Sequence, residues 1–350
     1  MFLSAFLFLI LKRYLMNIFF KSALLFLFAN VAVSSCSKTD GPEVEVTVPE
    51  PEPEPKPEPE PVVPEDGATL LLGGAGKVTI VNTGGMENGC DYTPFVVGQW
   101  DAESAALLLG YASSKMDHID DCKPVDGGEM IAVTSSYHWT VVLDKELKPV
   151  FWASGTTNAH SAEVIRGKYV VVACSTGGDE LRLYDMAVPN KVIFTTPLES
   201  AHGVVWNEAT ERLYAVGVKK LRVYKLTGYG TDSPELTLEK TYATPQNGLH
   251  DITLADDNTL CLGGKGCALF NISTGKFTTL PLFADKTALK SLNYNPETGG
   301  MWYTDATVPE GDYTWSTHTV RYTSDPFGCA EEFTIRVPDQ NLYKVRPLKW

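Results

Sequence analysis

At 350 residues with 44% apolar side chains, the chain can hold two ordinary domains or one large all-β domain with a sizeable core. Its formal charge is −14 and its Lys and Arg residues form no cluster, which argues against a nucleic-acid partner, because phosphate binding needs concentrated positive charge. No nucleophile elbow, P-loop, dinucleotide fingerprint or C-x-x-C pair occurs, so the common signatures of acyl transfer, nucleotide binding and zinc ribbons are missing.

Residues 1–35 combine Lys12, Arg13 and Lys21 with apolar runs and end in small residues, the layout of a secretory signal. Each apolar run is shorter than the ~20 residues a membrane span needs. Val33-Ser34-Ser35-Cys36 resembles a bacterial lipobox, in which cleavage leaves a lipid-bearing N-terminal cysteine. The expectation is a cell-envelope lipoprotein held to the membrane through Cys36. A complete signal already starts at Met16, so residues 1–15 read as an upstream extension of the true start. Residues 36–67 then alternate Pro with Glu; fixed φ angles and like-charge repulsion make such a stretch an extended spacer that builds no core.

From residue 68 to 350 the sequence changes to short β-branched runs broken by Gly, Asn, Asp and Pro, with no long helical period. Three segments, starting at NAHSAEVI, SAHGVVW and GLHDITL, share an order of four strand-like pieces. Two more copies begin at IDDCKPV and ALKSLNY. Four antiparallel strands per roughly 40–50 residues is the signature of a propeller blade. ATLLLGG, KVTIVN and FVVGQWD supply second, third and fourth strands without a first, while NLYKVRPLKW is a lone strand near residue 350. Joined, they complete a sixth blade and hide the edges an open ring would expose. The expected fold is therefore an all-β, six-bladed propeller closed by N- and C-terminal strands; seven blades would need shorter repeats. In an exported chain the cysteines are free to pair, and Cys261–Cys267 and Cys90–Cys122 are the first candidates beside plain buried thiols.

The first strand of each blade lines the central channel, so the residues that open those strands converge on one mouth. Counting back from the second strand gives Lys344, Asp121, His160, His202, His250 and Lys290. Three imidazoles and a carboxylate suit a divalent ion such as Zn²⁺, Mn²⁺ or Ca²⁺, with His160, His202, His250 and Asp121 as ligands. Lys290 and Lys344 beside them suit an anionic glycan or other small acidic ligand, or proton transfer at such a ligand. The competing structural explanation is a repeated peg that ties one blade to the next. Strand alternation from His160 turns Glu163 away from the shared face. The tryptophans, among them Trp139, Trp152, Trp206, Trp302, Trp315 and Trp350, either form a carbohydrate platform or pack between sheets.

The stretches DDCKPVDGG, NAHSAEVI, HGVVW with RLYAVG and LRVYKL, HDIT, LKSLNYNPETG and LYKVRPL resemble an uncharacterised family of secreted or lipid-anchored six-bladed propellers of Bacteroidetes. The resemblance covers nearly all of residues 68–350 and implies fold and location without an activity. A looser similarity runs to propeller enzymes of the oligogalacturonate lyase and streptogramin lyase type. It implies a divalent metal on His160, His202 and His250, with Asp121 in place of a glutamine. Two functions follow: a metal-assisted enzyme acting on an acidic sugar, or a non-catalytic scaffold that binds a ligand or protein at the cell surface.

Overall fold

The computed structural model describes residues 66–92, 95–109, 117–328 and 333–350. The expected signal peptide, the lipidation site Cys36, nearly all of the Pro/Glu spacer and Cys329 lie outside them. The strands form six sheets in a ring, a six-bladed β-propeller. Among the described residues no helix is long and apolar enough to cross a membrane.

Blade four shows how sequence makes a blade. Its strands run outward from the axis as Gly203–Asn207, Arg212–Gly217, Lys220–Thr227 and Glu235–Ala243. The strand second from the axis is covered on both faces by neighbouring blades, so it reads as a continuous apolar run. Tyr169–Cys174, YVVVAC in blade three, is buried at every position. The outermost strand has little to pack against, and ELTLEKTYA is mostly exposed. Between blades the faces interdigitate: Tyr169, Val171 and Leu183 of blade three meet Val204, Leu213 and Tyr224 of blade four. Each such buried Val or Leu contributes about 1.5–3 kcal/mol relative to an exposed one.

The ring closes where the sequence places the closure. Lys344–Lys349 is the innermost strand of blade one and pairs antiparallel with Thr69–Gly74, setting Leu71 opposite Arg346 and Gly73 opposite Lys344. A second tie was not legible. Cys90–Asp91 leaves blade one to add a parallel fifth strand to the outer edge of blade six, and the Asn88 side chain accepts hydrogen bonds from Thr334. A short helix, Ala102–Leu109, interrupts the otherwise β sequence; Asp101 accepts the Ser104 N–H to cap it, and Ala102 and Ala105 pack beside Trp100 and Trp139.

The cysteine expectations are corrected. Cys90 and Cys122 belong to different sheets and are both free thiols. Cys261 and Cys267 do face each other across adjacent strands, but as buried thiols with sulfurs 3.7 Å apart. Trp139 and Trp152 stack within blade two, and Trp302 packs on Tyr322 in blade six, so these three are packing residues.

Candidate functional site

The inner strands are Lys344–Lys349, Ile119–Val125, Ala159–Ile165, Gly203–Asn207, Asp251–Asp256 and Leu289–Tyr294. Each carries an irregularity at its start. Pairing with the second strand skips Asp120 in blade two, His160 in blade three and Lys290 in blade six. In the other blades, the N–H groups of Tyr343, His202 and His250 donate to the carbonyls of Gly73, Val216 and Gly263, which already face Lys344, Gly203 and Asp251. This is a β-bulge, in which one residue is extra and two successive side chains are aimed to the same side. The loops carrying the bulges press onto the end of the second strand. A Cβ on Gly264, Gly217 or Gly74 would strike the backbone oxygen of Gly248, Glu199 or Asn341, so only glycine permits that approach.

The six-fold bulge gives the channel two polar layers at one mouth. The outer layer holds Tyr343, Asp120, His160, His202, His250 and Lys290. The ring centroids of His160 and His202 are 4.3 Å apart, and those of His202 and His250 are 4.9 Å apart. Lys290 Nζ lies 3.3 Å from His250 Nε2 and 5.2 Å from the centre of the Tyr343 ring, and Asp120 is 3.5 Å from His160 Nε2. The three histidines and Lys290 singled out from the sequence thus converge. Asp121 and Lys344 do not join them; they sit one residue deeper, because a bulge defeats counting back from the second strand.

That deeper layer is an ion quartet. Arg346 donates from Nε and Nη2 to both oxygens of Asp121, at 2.8 and 3.0 Å, and from Nη1 and Nη2 to both oxygens of Asp251, at 2.8 and 2.6 Å. Lys344 reaches Asp251 at 3.0 Å and Asp121 at 3.4 Å. None of the four is more than 1% exposed. Burial pushes the two carboxylates up, but Arg346 and Lys344 outweigh it and hold both below the usual range. With its oxygens committed, Asp121 has none to spare for a metal at the mouth, and Lys344 is sealed from any solute. Pegs between blades are made here, where Ser161 donates to Asp121 and the Leu292 N–H donates to Asp251, and also at the histidines, where Ser175 of blade three bonds the His202 ring and Lys290 of blade six bonds His250.

The outer layer is electrostatically unlike the quartet. Burial lowers His160 to about 4, against a weaker opposing effect of its bond to the Asn158 carbonyl. Burial and the adjacent His160 depress His202, and burial and Lys290 depress His250. All three imidazoles are therefore neutral at pH 7. Burial brings Lys290 down to about 8 and lifts Asp120 to about 7. The Nδ1 atoms of His160 and His202 lie 2.9 Å from the carbonyls of Asn158 and Ser200, so Nδ1–H donates and Nε2 keeps its lone pair. That tautomer suits a metal ligand. His250 differs: its buried Nδ1 has no partner, and its Nε2 faces the Lys290 ammonium, which competes with any cation there. Among the described residues no group of three or more His, Cys, Asp and Glu is arranged to hold a metal ion.

The depressed imidazoles make the fold sensitive to acid. Above pH 6.5 His160 is neutral whether folded or unfolded; below it the unfolded chain takes a proton that the folded site refuses until about pH 4, so stability falls through that window. Asp120 acts oppositely between 3.8 and about 7, but three imidazoles outweigh one carboxyl. Between pH 7.5 and 5, His160→Gln should lose about 2 kcal/mol less than the parent in urea unfolding. Equal losses would remove the imidazole from this account.

Next to the ring stands an aromatic wall of which the sequence singled out only Trp315. His118 stacks on Tyr137 at 4.3 Å and meets Trp315 at 5.3 Å, Tyr313 stacks on Trp315 at 4.6 Å, and Trp315 meets Tyr343 at 5.7 Å. Tyr343 in turn meets His160 at 6.0 Å, so the wall is continuous with the ring. Tyr137 and Tyr313 face solvent, at 42% and 38% exposure. Their signal was present as DHID, SSYHW and GDYTWSTH, which fall in loops between the repeated strands. His138 and His318 bond to Asn158 and Asn341, away from the ring.

The channel's other end is lined by what lies two residues below the quartet. Glu163 faces it, contrary to the alternation argument, because the bulge at His160 reverses the count. It pairs with Lys123 at 3.0 Å.

No protein-family model matches the chain, and no curated protein matches it in sequence. Among solved structures it is similar to a protein of unknown function from Bacteroides caccae, with 11% identity, a TM-score of 0.53, and coverage of 81% of this chain and 99% of that one. It also matches the Kuenenia stuttgartiensis hydrazine synthase, with 13% identity and a TM-score of 0.46 over 64% of this chain and 68% of that one. Likeness at such identities speaks to fold alone, and the first agrees with the ring of six sheets: the chain is a β-propeller.

Proposed function

We propose that this protein is a cell-envelope lipoprotein that displays its propeller on the Pro/Glu spacer to bind an acidic sugar at the histidine mouth. The observation that carries the reading is the continuity of Lys290 and the three imidazoles with the wall of half-buried Trp315 and exposed Tyr313 and Tyr137. A uronic acid has both halves of the matching chemistry. Its carboxylate accepts from the Lys290 ammonium, its hydroxyls donate to the free Nε2 lone pairs of the ring, and its C–H face lies on an aromatic ring. Neutral imidazoles and a buried quartet with no net charge leave Lys290 as the cation of the mouth, only partly answered by Asp120, which favours an anion of low charge. The lipid on Cys36 supplies the membrane attachment, and mass spectrometry of the mature N-terminus checks it.

The test is titration calorimetry of the full chain in detergent against trigalacturonate. Binding should weaken tenfold or more in Lys290→Ala and in Trp315→Ala, and should fail when the carboxylates are reduced to alcohols. No binding at millimolar sugar, or binding that both variants retain, would overturn the reading.

A second reading is favoured by the Nδ1–H pins on His160 and His202: a divalent ion on their Nε2 atoms and on His250, once Lys290 withdraws, acting as a Lewis acid on the sugar carboxylate. Asp120 and not Asp121 is then the carboxylate at hand. A rise in melting temperature with Mn²⁺ or Zn²⁺, absent from His202→Gln, supports it. An unchanged melting temperature ends it.

A further inference from the structure

The end of the channel opposite the histidines opens into a cavity of 620 Å³. We propose that this second mouth binds the end of a neutral oligosaccharide, independently of the histidine mouth.

The cavity has a polar floor, and each charge on it is answered. Lys123 pairs with Glu163 at 3.0 Å and also donates to the Val204 carbonyl; Glu163 accepts the N–H groups of Val164 and Trp206. Both side chains are deeply buried, at 5% exposure. Arg346, spent on Asp121 and Asp251, closes the floor. Higher up, Arg166 forms a two-pronged bond to Glu208, reaching it at 2.8 Å from Nε, and lies 5.8 Å from the centre of the Trp206 ring. The Trp206 indole N–H donates to Glu208 at 2.7 Å. Trp206 is thereby locked by an ion pair on its face and a hydrogen bond at its edge, and its orientation is set before any ligand arrives. Tyr294 and Trp350 complete the aromatic lining, the latter 43% exposed.

The class of ligand follows from this balance. Each lining cation is already matched by a carboxylate, and Asp126 and Asp257 at the rim add negative charge, so an anion meets repulsion and no free positive partner. A cation finds the floor carboxylates already occupied, and at the rim only Asp126, which accepts the Gly167 N–H, and Asp257, which is exposed to water. An uncharged molecule whose hydroxyls both donate and accept fits a lining of paired donors and acceptors, and flat aromatic faces suit the apolar side of a pyranose ring. The volume lies in the middle of the range for small-ligand pockets. The sealed quartet between the mouths lets one be filled without disturbing the other.

The experiment titrates cellobiose, maltose and N-acetylchitobiose separately into the full chain in detergent, following heat and tryptophan fluorescence. At least one of the three should bind, should lose tenfold or more in affinity in Trp350→Ala, and should keep its affinity in saturating trigalacturonate. Trp350 is exposed, so its replacement leaves the fold intact; Trp206→Phe, which keeps the ring and loses the indole N–H, should weaken binding less. Failure of all three sugars at millimolar concentration, competition by trigalacturonate, or unchanged affinity in Trp350→Ala would each overturn the proposal.

Discussion

Removal of residues 344–350 should leave a chain that no longer unfolds cooperatively, the largest effect expected of any short change. The lost strand pairs along Thr69–Gly73, so its absence opens the ring and bares a strand edge at the axis. The deletion also takes Lys344 and Arg346 and leaves Asp121 and Asp251 buried without a counter-charge. Thermal unfolding followed by circular dichroism, with limited proteolysis alongside, reads the outcome. A sharp transition within a few degrees of the parent would mean that closure of the ring contributes little.

Arg346→Met isolates the electrostatic half of that effect and should cost about 3–5 kcal/mol in urea unfolding, the usual penalty for removing one partner from a buried ion pair. Arg346 answers two carboxylates at once, so the remaining Lys344 cannot neutralise both. The companion expectation runs the other way. Replacing all four members together by apolar residues of similar volume should be close to neutral, because the desolvation cost of the charges disappears with their attraction. A loss in Arg346→Met under about 1 kcal/mol would show that the two carboxylates shed their charge when the guanidinium goes.

The repeated four-strand pattern and the lone strand near residue 350 were enough to read six blades and their closure, since both depend on hydrophobic period and on hiding edges. The ring was legible where spacing to the second strand is firm: HGVVW and LKSLNY place His202 and Lys290, and NAHSAEVI and GLHDITL follow. It slipped by one at Asp120/Asp121 and Tyr343/Lys344, where adjacent residues are both polar enough to be chosen and both face the axis. The same extra residue at His160 reversed the face assigned to Glu163. Arg346 and Asp251 went unnoticed as a pair, because their contact joins strands nearly a hundred residues apart with no shared motif. The partners of Trp315 in the aromatic wall escaped for a different reason: loops between repeats have no period to read.

The bulge at the start of each inner strand gives adjacent residues separate duties. Positions 121, 251, 344 and 346 hold the ring together, while the residues just before the inner layer, 120, 160, 202, 250, 290 and 343, set the chemistry of the mouth. If the mouth binds the proposed sugar, a change in the second set alters what it recognises while leaving the ion pairs of the quartet in place. The scaffold can therefore be re-specified one residue at a time, and related chains that share the quartet are expected to diverge most at the residue beside it.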